Sequence, residues 1–169
     1  MILESDIVIR NARIEDLPEI VAIYNFTVSS RRATADTEEV SVESRRRWFE
    51  EHSENFRPLW VAEQNNRVIG WLSFQSFYGR PAYSKTAELS IYIRQECRNK
   101  GLGGTLLEKA ICECPKLGIK TLVGFIFGHN TQSLRLVEGY GFKQWGLMPG
   151  VAELDGTERD LVIVGRKIE

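Results

Sequence analysis

The 169-residue chain has the length of one domain and an ordinary composition, with 43% hydrophobic and 27% charged residues. Lysine and arginine total 22 against 23 acidic residues, so the net charge of -1 disfavours nucleic acid as the main partner. The first ten residues carry Glu4 and Asp6, which a secretory signal avoids, and no apolar run approaches the ~20 residues of a membrane span. We therefore expect one cytoplasmic domain over residues 1–169, with no membrane partner.

Two smaller features are interpreted as structurally ordinary. The three adjacent arginines Arg45, Arg46 and Arg47 lie among glutamates, which is typical of a solvated helix face. The cysteines are odd in number and lack zinc-ligand spacing, which predicts free thiols and no metal site. They are Cys97, Cys112 and Cys114.

The hydrophobic patterns alternate between strand and helix periods along the chain. In order, they predict a strand at 7–10, helices at 14–27 and 41–52, a hairpin at 59–63 and 68–77, a loop at 77–85, a strand at 87–93, a helix at 106–117, a strand at 121–127, a helix at 130–139, and a hairpin at 143–152 and 159–167. Asn65-Asn66 and Asp155-Gly156 are expected to form the hairpin turns. This order predicts an α/β fold with a central mixed sheet flanked by helices.

The most informative segment is a basic, glycine-rich turn between a predicted strand and a predicted helix. Glycines let the backbone approach a phosphate, and the free N–H groups of the first helical turn favour negative charge. The segment therefore predicts a phosphorylated cofactor, although a tight loop with no ligand has the same composition. Its residues are Arg98, Asn99, Lys100, Gly101, Leu102, Gly103, Gly104 and Thr105.

Neither of the common nucleotide motifs accounts for this turn. The Walker pattern Gly-x-x-x-x-Gly-Lys-Ser/Thr is absent. A dinucleotide fingerprint opens an early βαβ unit and needs a third glycine, whereas this turn lies late in the chain and has Leu106 at that position. ATP and dinucleotides are therefore disfavoured as the cofactor.

Two motifs in order give a sharper match. Arg98-x-x-Gly101-x-Gly103 resembles the acetyl-CoA pyrophosphate loop of the GNAT superfamily of N-acetyltransferases. The segment Asn130-x-x-Ser133-x-x-Leu136 … Gly139-Tyr140-Gly141-Phe142 resembles the second motif of that superfamily. The resemblance covers nearly the whole chain, and it implies the acyl-CoA N-acyltransferase fold, a mostly antiparallel mixed sheet, and acetyl-CoA as the cofactor.

A narrower resemblance concerns the acceptor of the acetyl group. The segments 77–83 and 86–93, together with 146–152 and 160–161, are similar to the phosphinothricin acetyltransferase branch. That branch acetylates the α-amine of small amino acid analogues such as phosphinothricin or methionine sulfoximine, and its members are commonly dimers. The resemblance implies a homodimeric enzyme that transfers acetyl directly, in a ternary complex, to a small-molecule amine.

The roles of single residues follow from chemistry and from this resemblance. An arriving ammonium group must lose a proton, and Glu88 on the predicted strand is the candidate base, although it could equally be a solvated strand glutamate or an ion-pair partner. Backbone groups of the same strand are expected to bind the pantetheine arm as an added strand. The expected cofactor contacts are Ile91, Tyr92, Ile93, the turn residues 98–105, Asn130 and Ser133, with Asn130 also a candidate helix cap.

The acceptor site and the general acid are less well determined by the sequence. An arginine suits the carboxylate of an amino acid, so Arg80, Lys85, Phe77 and Tyr83 are expected to bind substrate, unless the loop is a solvated surface segment. Tyr140 is a candidate catalytic residue. The position where many family members carry a tyrosine or histidine after the motif leucine is Val137, so the general acid stays open.

Two other functions fit the same sequence. The acceptor could be another amine, such as a polyamine or a protein N-terminus, although a polyamine site should be acidic. Because Val137 cannot donate a proton, the chain could also be an acyl-CoA-binding sensor without turnover, which the presence of Glu88 opposes. A thiol-release assay with a panel of amines separates the three functions.

Overall fold

The structure is a computed structural model that describes residues 6–169. The first five residues, part of the segment used to exclude a signal peptide, lie outside the described range. The strands are β1 (Val8–Asn11), β2 (Leu59–Gln64), β3 (Arg67–Ser76), β4 (Thr86–Ile93), β5 (Thr121–Phe127), β6 (Lys143–Leu154) and β7 (Thr157–Lys167). The helices are α1 (Leu17–Ser30), α2 (Val42–Glu50), α3 (Leu102–Glu113) and α4 (Thr131–Gly139). The predicted order of elements is confirmed.

The seven strands form one sheet in the order β1-β2-β3-β4-β5-β7-β6. β4 and β5 run parallel, and the other neighbouring strands run antiparallel, as predicted. The pairing of β4 with β5 extends over three residue pairs and ends at Glu88 opposite Val123. Beyond that pair the two strands diverge, which leaves one edge of β4 open in the middle of the sheet.

Each face of the sheet is covered by two helices. α1 and α2 cover the face that carries Trp71 and Tyr92, where they enclose the smaller apolar core. The opposite face carries Leu72 and Phe74, and its larger core includes much of α3. Since side chains alternate along a strand, Glu88 and Ser90 point to the α1–α2 face, whereas Leu89 and Ile91 point to the α3 face.

The two predicted hairpin turns are confirmed by their backbone conformation. Asn65 and Asn66 have φ values of 54° and 59°, and Asp155 and Gly156 have 52° and 77°. Both central residues of a type I′ turn need this left-handed conformation, which asparagine, aspartate and glycine adopt with the least strain. The cysteines are free, with Cys114 buried and Cys112 exposed. No helix among residues 6–169 is long and apolar enough to cross a membrane.

The predicted start and end of α3 were wrong. The helix begins at Leu102, four residues before the expected start, and ends at Glu113 rather than at Leu117. Gly101 takes the left-handed conformation, with φ of 86°, and forms the cap at which the chain turns into the helix. Gly103 and Gly104 therefore belong to the first helical turn. The helix ends before Pro115, which disfavours the helical conformation of the residue that precedes it.

Candidate active site

The divergence of β4 from β5 opens a cleft of about 860 Å³ through the middle of the sheet. One wall is β4 from Leu89 to Ile93, the other is β5 from Val123 to Phe127, and the first turn of α3 closes one end. Because β5 does not pair with this part of β4, backbone groups along that edge are available to a ligand. An extended ligand can bind there as an added strand.

The first turn of α3 points bare backbone N–H groups toward the cleft. Gly101 caps the helix without a side-chain hydrogen bond, and the first amide bonded to it is that of Thr105, at 3.1 Å from the Gly101 carbonyl oxygen. The amides of Leu102, Gly103 and Gly104 thus have no acceptor within the helix. A phosphate group suits this position because the N–H groups and the helix dipole both favour negative charge.

The charges around the cleft are of one sign. Arg32, Arg98 and Arg135 line it, and none of the described lining residues is acidic. The guanidinium of Arg98 also donates to the carbonyl oxygen of Ile93 at 3.1 Å, which ties the glycine-rich turn to the end of β4. The cleft therefore has the volume, the open strand edge and the charge that suit a long, phosphorylated cofactor.

The start of α4 also faces the cleft. The side chain of Asn130 accepts a hydrogen bond from the backbone N–H of Ser133 at 3.2 Å, so the predicted helix cap is confirmed. Both residues line the cleft. Gln132, a further lining residue, donates to the side chain of Asn99 and joins α4 to the glycine-rich turn. The glycine-rich turn and the start of α4, which carry the two sequence motifs, therefore lie together at one opening of the cleft.

Glu88 lies where β4 and β5 part. Its Cα pairs with that of Gln75 on β3 and with that of Val123 on β5. The side chain is half-buried, and within the described part of the chain it has no hydrogen bond or ion pair. Burial raises the pKa of the Glu88 carboxyl above its ordinary value. Glu88 is not itself among the residues that line this cleft, but it lies two residues before Ser90, which is. An unpaired carboxylate with a raised pKa beside a cleft is suited to proton transfer, and the role of Glu88 as the base stays a prediction.

A second, smaller cavity of about 140 Å³ lies on the α1–α2 side of β4. It shares Ser90 and Tyr92 with the large cleft, so the two spaces meet along β4. Its other lining residues come from α1, α2, the segment before α2 and β3. They are Ile20, Val21, Tyr24, Val40, Arg45, Trp48, Trp71, Ser73 and Gln75.

Arg45 corrects one sequence interpretation, because it is not part of a solvated helix face. It lines the small cavity, and its guanidinium donates to Asp36 at 3.0 Å while lying 4.9 Å from the centre of the Tyr24 ring. The neighbouring Arg46 pairs with Glu43 on the outside of α2, and the Arg47 side chain is 93% exposed. The three arginines are adjacent in sequence, but helical geometry turns only Arg45 inward.

The loop expected to bind substrate lies apart from both cavities. Arg80, Tyr83 and Lys85 are exposed, and neither cavity is lined by them or by Phe77. Phe77 and Tyr83 instead contact each other, with ring centres 5.3 Å apart. The buried guanidinium of Arg57 holds the loop by donating to the carbonyl oxygen of Ser84 at 2.8 Å. Substrate binding by these four residues stays a prediction.

Tyr140 packs against the first turn of α3 and is not among the residues that line the cleft. Its hydroxyl group lies so close to Gly104 that a Cβ atom at that position would overlap it. Val137 lines the cleft and Tyr140 does not. A catalytic role for Tyr140 therefore stays a prediction, and the contact favours packing between the end of α4 and the start of α3.

Several site residues were missed by the sequence analysis. Arg32 and Arg135 lie at the cleft, and Arg45 and Tyr24 line the small cavity. Arg135 falls at an unspecified position of the second motif, and the other three lie outside both motifs. Tyr24 lies on the predicted helix at 14–27, and its neighbours in sequence carry no sign of a ligand site. Only the pairing of α1 and α2 over β3 and β4 brings these side chains together.

Comparison with known proteins agrees with this geometry. Residues 20–142 match the model of the "Acetyltransferase (GNAT) family". The Bacillus subtilis protein named "Putative phosphinothricin acetyltransferase YwnH" is 55% identical over 161 residues, which cover 95% of this chain and 98% of that protein. The L-methionine sulfoximine/L-methionine sulfone acetyltransferase of Pseudomonas aeruginosa is 32% identical, and the match covers 92% and 91% of the two chains.

A solved structure gives the same result for the fold. The GNAT superfamily phosphinothricin acetyltransferase of Sinorhizobium meliloti, in complex with acetyl-CoA, superposes with a TM-score of 0.90 at 30% identity. The match covers 96% of this chain and 88% of that protein. The likeness in fold therefore extends over nearly the whole length of both chains.

Proposed function

The chain belongs to the GNAT family of acetyltransferases and uses acetyl-CoA, and on this basis we propose that it acetylates the primary amine of a small amino acid or a close analogue. The transfer is direct, within a ternary complex of enzyme, acetyl-CoA and amine. The relatives named for phosphinothricin and methionine sulfoximine support this substrate class, since both compounds are small amino acid analogues.

The observation that carries the proposal is the meeting of two cavities on one strand. The large cleft and the small cavity share Ser90 and Tyr92, and Glu88 stands two residues before Ser90 on the same face of β4. Direct transfer requires one space for the acetyl donor, a second for the amine, and a base near their junction. The positions of Glu88, Ser90 and Tyr92 within five residues of β4 support this arrangement.

The residues around the large cleft suit acetyl-CoA. Backbone groups of Ile91, Tyr92 and Ile93 would hold the pantetheine arm, and the amides of the α3 N-terminus would hold the pyrophosphate. Asn130 and Ser133 lie beyond the point where the strands part and would contact the cofactor from α4. Bound acetyl-CoA supplies an acetyl thioester, whose carbonyl carbon forms a bond to the amine nitrogen as the carbon–sulfur bond breaks.

Glu88 would prepare the amine for this reaction. An amine arrives mostly as an ammonium ion, and the Glu88 carboxylate accepts the proton directly or through a water molecule. Because the raised pKa of Glu88 brings it closer to that of the group it deprotonates, proton transfer is easier than to an ordinary surface glutamate. No fixed side chain is assigned to protonate the departing thiolate, since Val137 lines the cleft at the corresponding position.

A thiol-release assay tests the proposed function. The full-length protein is mixed with acetyl-CoA and one amine at a time: methionine sulfoximine, phosphinothricin, proteinogenic amino acids, a polyamine and a peptide with a free N-terminus. We expect release with one or more of the amino acids and not with the polyamine or the peptide. Acetyl-CoA binding by calorimetry without thiol release for any amine would support a sensor instead.

We also propose that two copies of the chain form a homodimer through the edge strand β6. This strand carries apolar side chains that are about half-exposed, which is unusual on an edge strand of a monomer. They are Trp145, Leu147, Met148 and Val151. Sedimentation analysis should give the dimer mass, and Leu147→Glu should shift it toward the monomer; a monomeric wild-type protein would contradict this proposal.

A further inference from the structure

The small cavity has an uneven distribution of charge. Arg45 is the one charged residue among its described lining residues, which are otherwise aromatic, aliphatic or neutral polar. The Arg45 side chain is 29% exposed, so its charge is partly shielded from water. A cation at one side of a largely aromatic cavity will attract an anionic group of any molecule that enters it.

A network of hydrogen bonds fixes the position of this cation. Asp36 accepts from the Arg45 guanidinium and from the Tyr24 hydroxyl, and Tyr24 also bonds to the hydroxyl of Thr34, which is 8% exposed. Asp36 does not line the cavity, so it contacts the Arg45 guanidinium from outside the cavity. A guanidinium has five N–H groups, and one hydrogen bond to Asp36 leaves donors for a second carboxylate.

The position of Arg45 relative to Glu88 sets the chemistry of the ligand. Glu88 and Arg45 both lie close enough to the Tyr92 hydroxyl to act on it electrostatically, as do Tyr24 and Asp36, so a carboxylate and a guanidinium are both near this ring. Tyr92 packs against Trp71 and Tyr24, with ring centres 4.6 Å and 5.2 Å away, which keeps this arrangement rigid. A ligand with an amine at one end and a carboxylate at the other matches both groups.

We propose that Arg45 binds the α-carboxylate of the acceptor and thereby makes the enzyme selective for α-amino acids. This inference rests on the proposed function, because it assigns the acceptor to the small cavity. The aromatic residues Trp48 and Trp71 form walls for the acceptor side chain. A cavity of about 150 Å³ accommodates a molecule the size of benzene, so a cavity of about 140 Å³ has room for a small acceptor side chain.

Arg45 is favoured over Arg80, the residue that the sequence suggested for the same task. Arg80 is exposed and lines neither cavity, so solvent would screen its charge. Arg45 lies in a partly enclosed site, where a two-pronged hydrogen bond to a carboxylate is stronger and better oriented. The two arginines therefore make different predictions for substitution.

The test compares two acceptors that differ only in the carboxylate. Methionine sulfoximine is one, and the amine with hydrogen in place of its α-carboxylate is the other. For the wild-type enzyme we expect kcat/KM to be on the order of 100-fold higher for the amino acid, the usual contribution of hydrogen bonds to a charged group. In Arg45→Gln this preference should be lost through a higher KM for the amino acid, while the KM for acetyl-CoA stays unchanged.

Matched variants separate this role from a general effect of charge. Arg46→Gln removes an arginine from the outside of the same helix and should leave both KM values unchanged, as should Arg80→Gln. Arg45→Lys keeps the charge but loses the planar fork, so the preference for the amino acid should fall to an intermediate value. Thermal unfolding of each variant shows whether the fold is retained.

The outcomes distinguish this inference from the proposed function. If the wild-type enzyme acetylates amino acids and carboxylate-free amines equally well, the inference is overturned even if no variant folds. It is also overturned if Arg80→Gln, rather than Arg45→Gln, raises the KM for the amino acid. If the wild-type enzyme acetylates no amine, the proposed function fails first.

Discussion

The two cavities on either side of β4 are built in different ways. The cofactor cleft, of about 860 Å³, presents the open backbone edge of β4 and the bare amides at the start of α3. The small cavity, of about 140 Å³, is defined by side chains from α1, α2, β3 and β4. Backbone groups are the same for every residue type, whereas a cavity made of side chains changes with each substitution.

This difference predicts which substitutions should impair cofactor binding and which should impair acceptor binding. Substitution of a side chain in the cofactor cleft should matter when it moves the backbone, and otherwise have a small effect. Substitution in the small cavity should alter acceptor selectivity directly. Glu88 lies two residues before Ser90, which lines both cavities, and its substitution should affect the reaction itself more than the binding of either substrate.

The largest effect is expected for Glu88→Gln. Loss of the base should lower kcat about 100- to 10,000-fold near neutral pH, while the Kd for acetyl-CoA changes little. In the wild-type enzyme kcat should rise with pH as the Glu88 carboxyl loses its proton. This rise should occur above the ordinary pKa of a glutamate, because burial raises the pKa of Glu88. Steady-state kinetics from acidic to neutral pH should show this rise, and the variant should lack it.

Stability provides the control for this variant. Because the folded-state pKa of Glu88 is raised, its contribution to stability is present below the unfolded pKa and is lost as the pH rises through the folded pKa. At neutral pH the Glu88→Gln variant should therefore be at least as stable as the wild type.

Glu108→Gln is the matched control for activity. Glu108 lies on the exposed side of α3, and its variant should be fully active. Turnover near the wild-type level in Glu88→Gln would exclude Glu88 as the base.

The next largest effect is expected for Gly104→Ala. A Cβ atom would overlap the Tyr140 hydroxyl, so either the Tyr140 side chain or the first turn of α3 must shift. We expect α3 to move, which displaces its N-terminal amides in the cleft. Such overpacking costs about 1–3 kcal/mol of unfolding free energy, and the Kd for acetyl-CoA should rise on the order of tenfold. Denaturant unfolding and calorimetry measure the two effects.

Gly139→Ala is the matched control for that substitution. Gly139 is the last residue of α4, and an added Cβ atom would have no neighbour within 4 Å. This variant should be neutral or gain up to about 1 kcal/mol of stability, since alanine loses less backbone entropy on folding. An equal loss of acetyl-CoA affinity in both glycine variants would show that helix contact is not the reason for Gly104.

The sequence signals for the cofactor cleft are local, although Lys100 and Thr105, which were expected to contact the cofactor, are not among the residues that line it. The caps at Gly101 and Asn130 and the strand before them are visible as short motifs, and backbone binding needs no distant partner. The role of Gly104 was only partly understood, however. Its small size is required by the contact with Tyr140, 36 residues later in the chain, and no local pattern shows that distance.

The small cavity could not be predicted in the same way. Arg45 looks like a solvated residue because its neighbours in sequence are charged, and only the packing of α2 on α1 turns it toward Tyr24 and Asp36. The loop at residues 77–85 was chosen for its basic and aromatic residues, yet those side chains contact each other or solvent. Composition shows which chemical groups are available, whereas tertiary packing decides which of them meet.

A smaller effect is expected for Arg135→Gln on the cofactor side. This exposed arginine lines the cleft, but solvent screens it and backbone amides also bind phosphate, so the KM for acetyl-CoA should rise by up to about fivefold. High salt should reduce the difference from the wild type, and the KM for the amine should not change. A larger effect on the amine than on acetyl-CoA would contradict the division between the two cavities.

The smallest effect is expected for Tyr140→Phe, which removes a hydroxyl that packs on Gly104 and does not reach the cleft. We expect kcat to stay within about twofold of the wild type, because no charge-bearing group leaves the reaction centre. The same change should partly restore acetyl-CoA binding to Gly104→Ala by removing the overlapping atom. A fall in kcat of about tenfold or more, with unchanged KM for acetyl-CoA, would instead support the catalytic role that the sequence suggested.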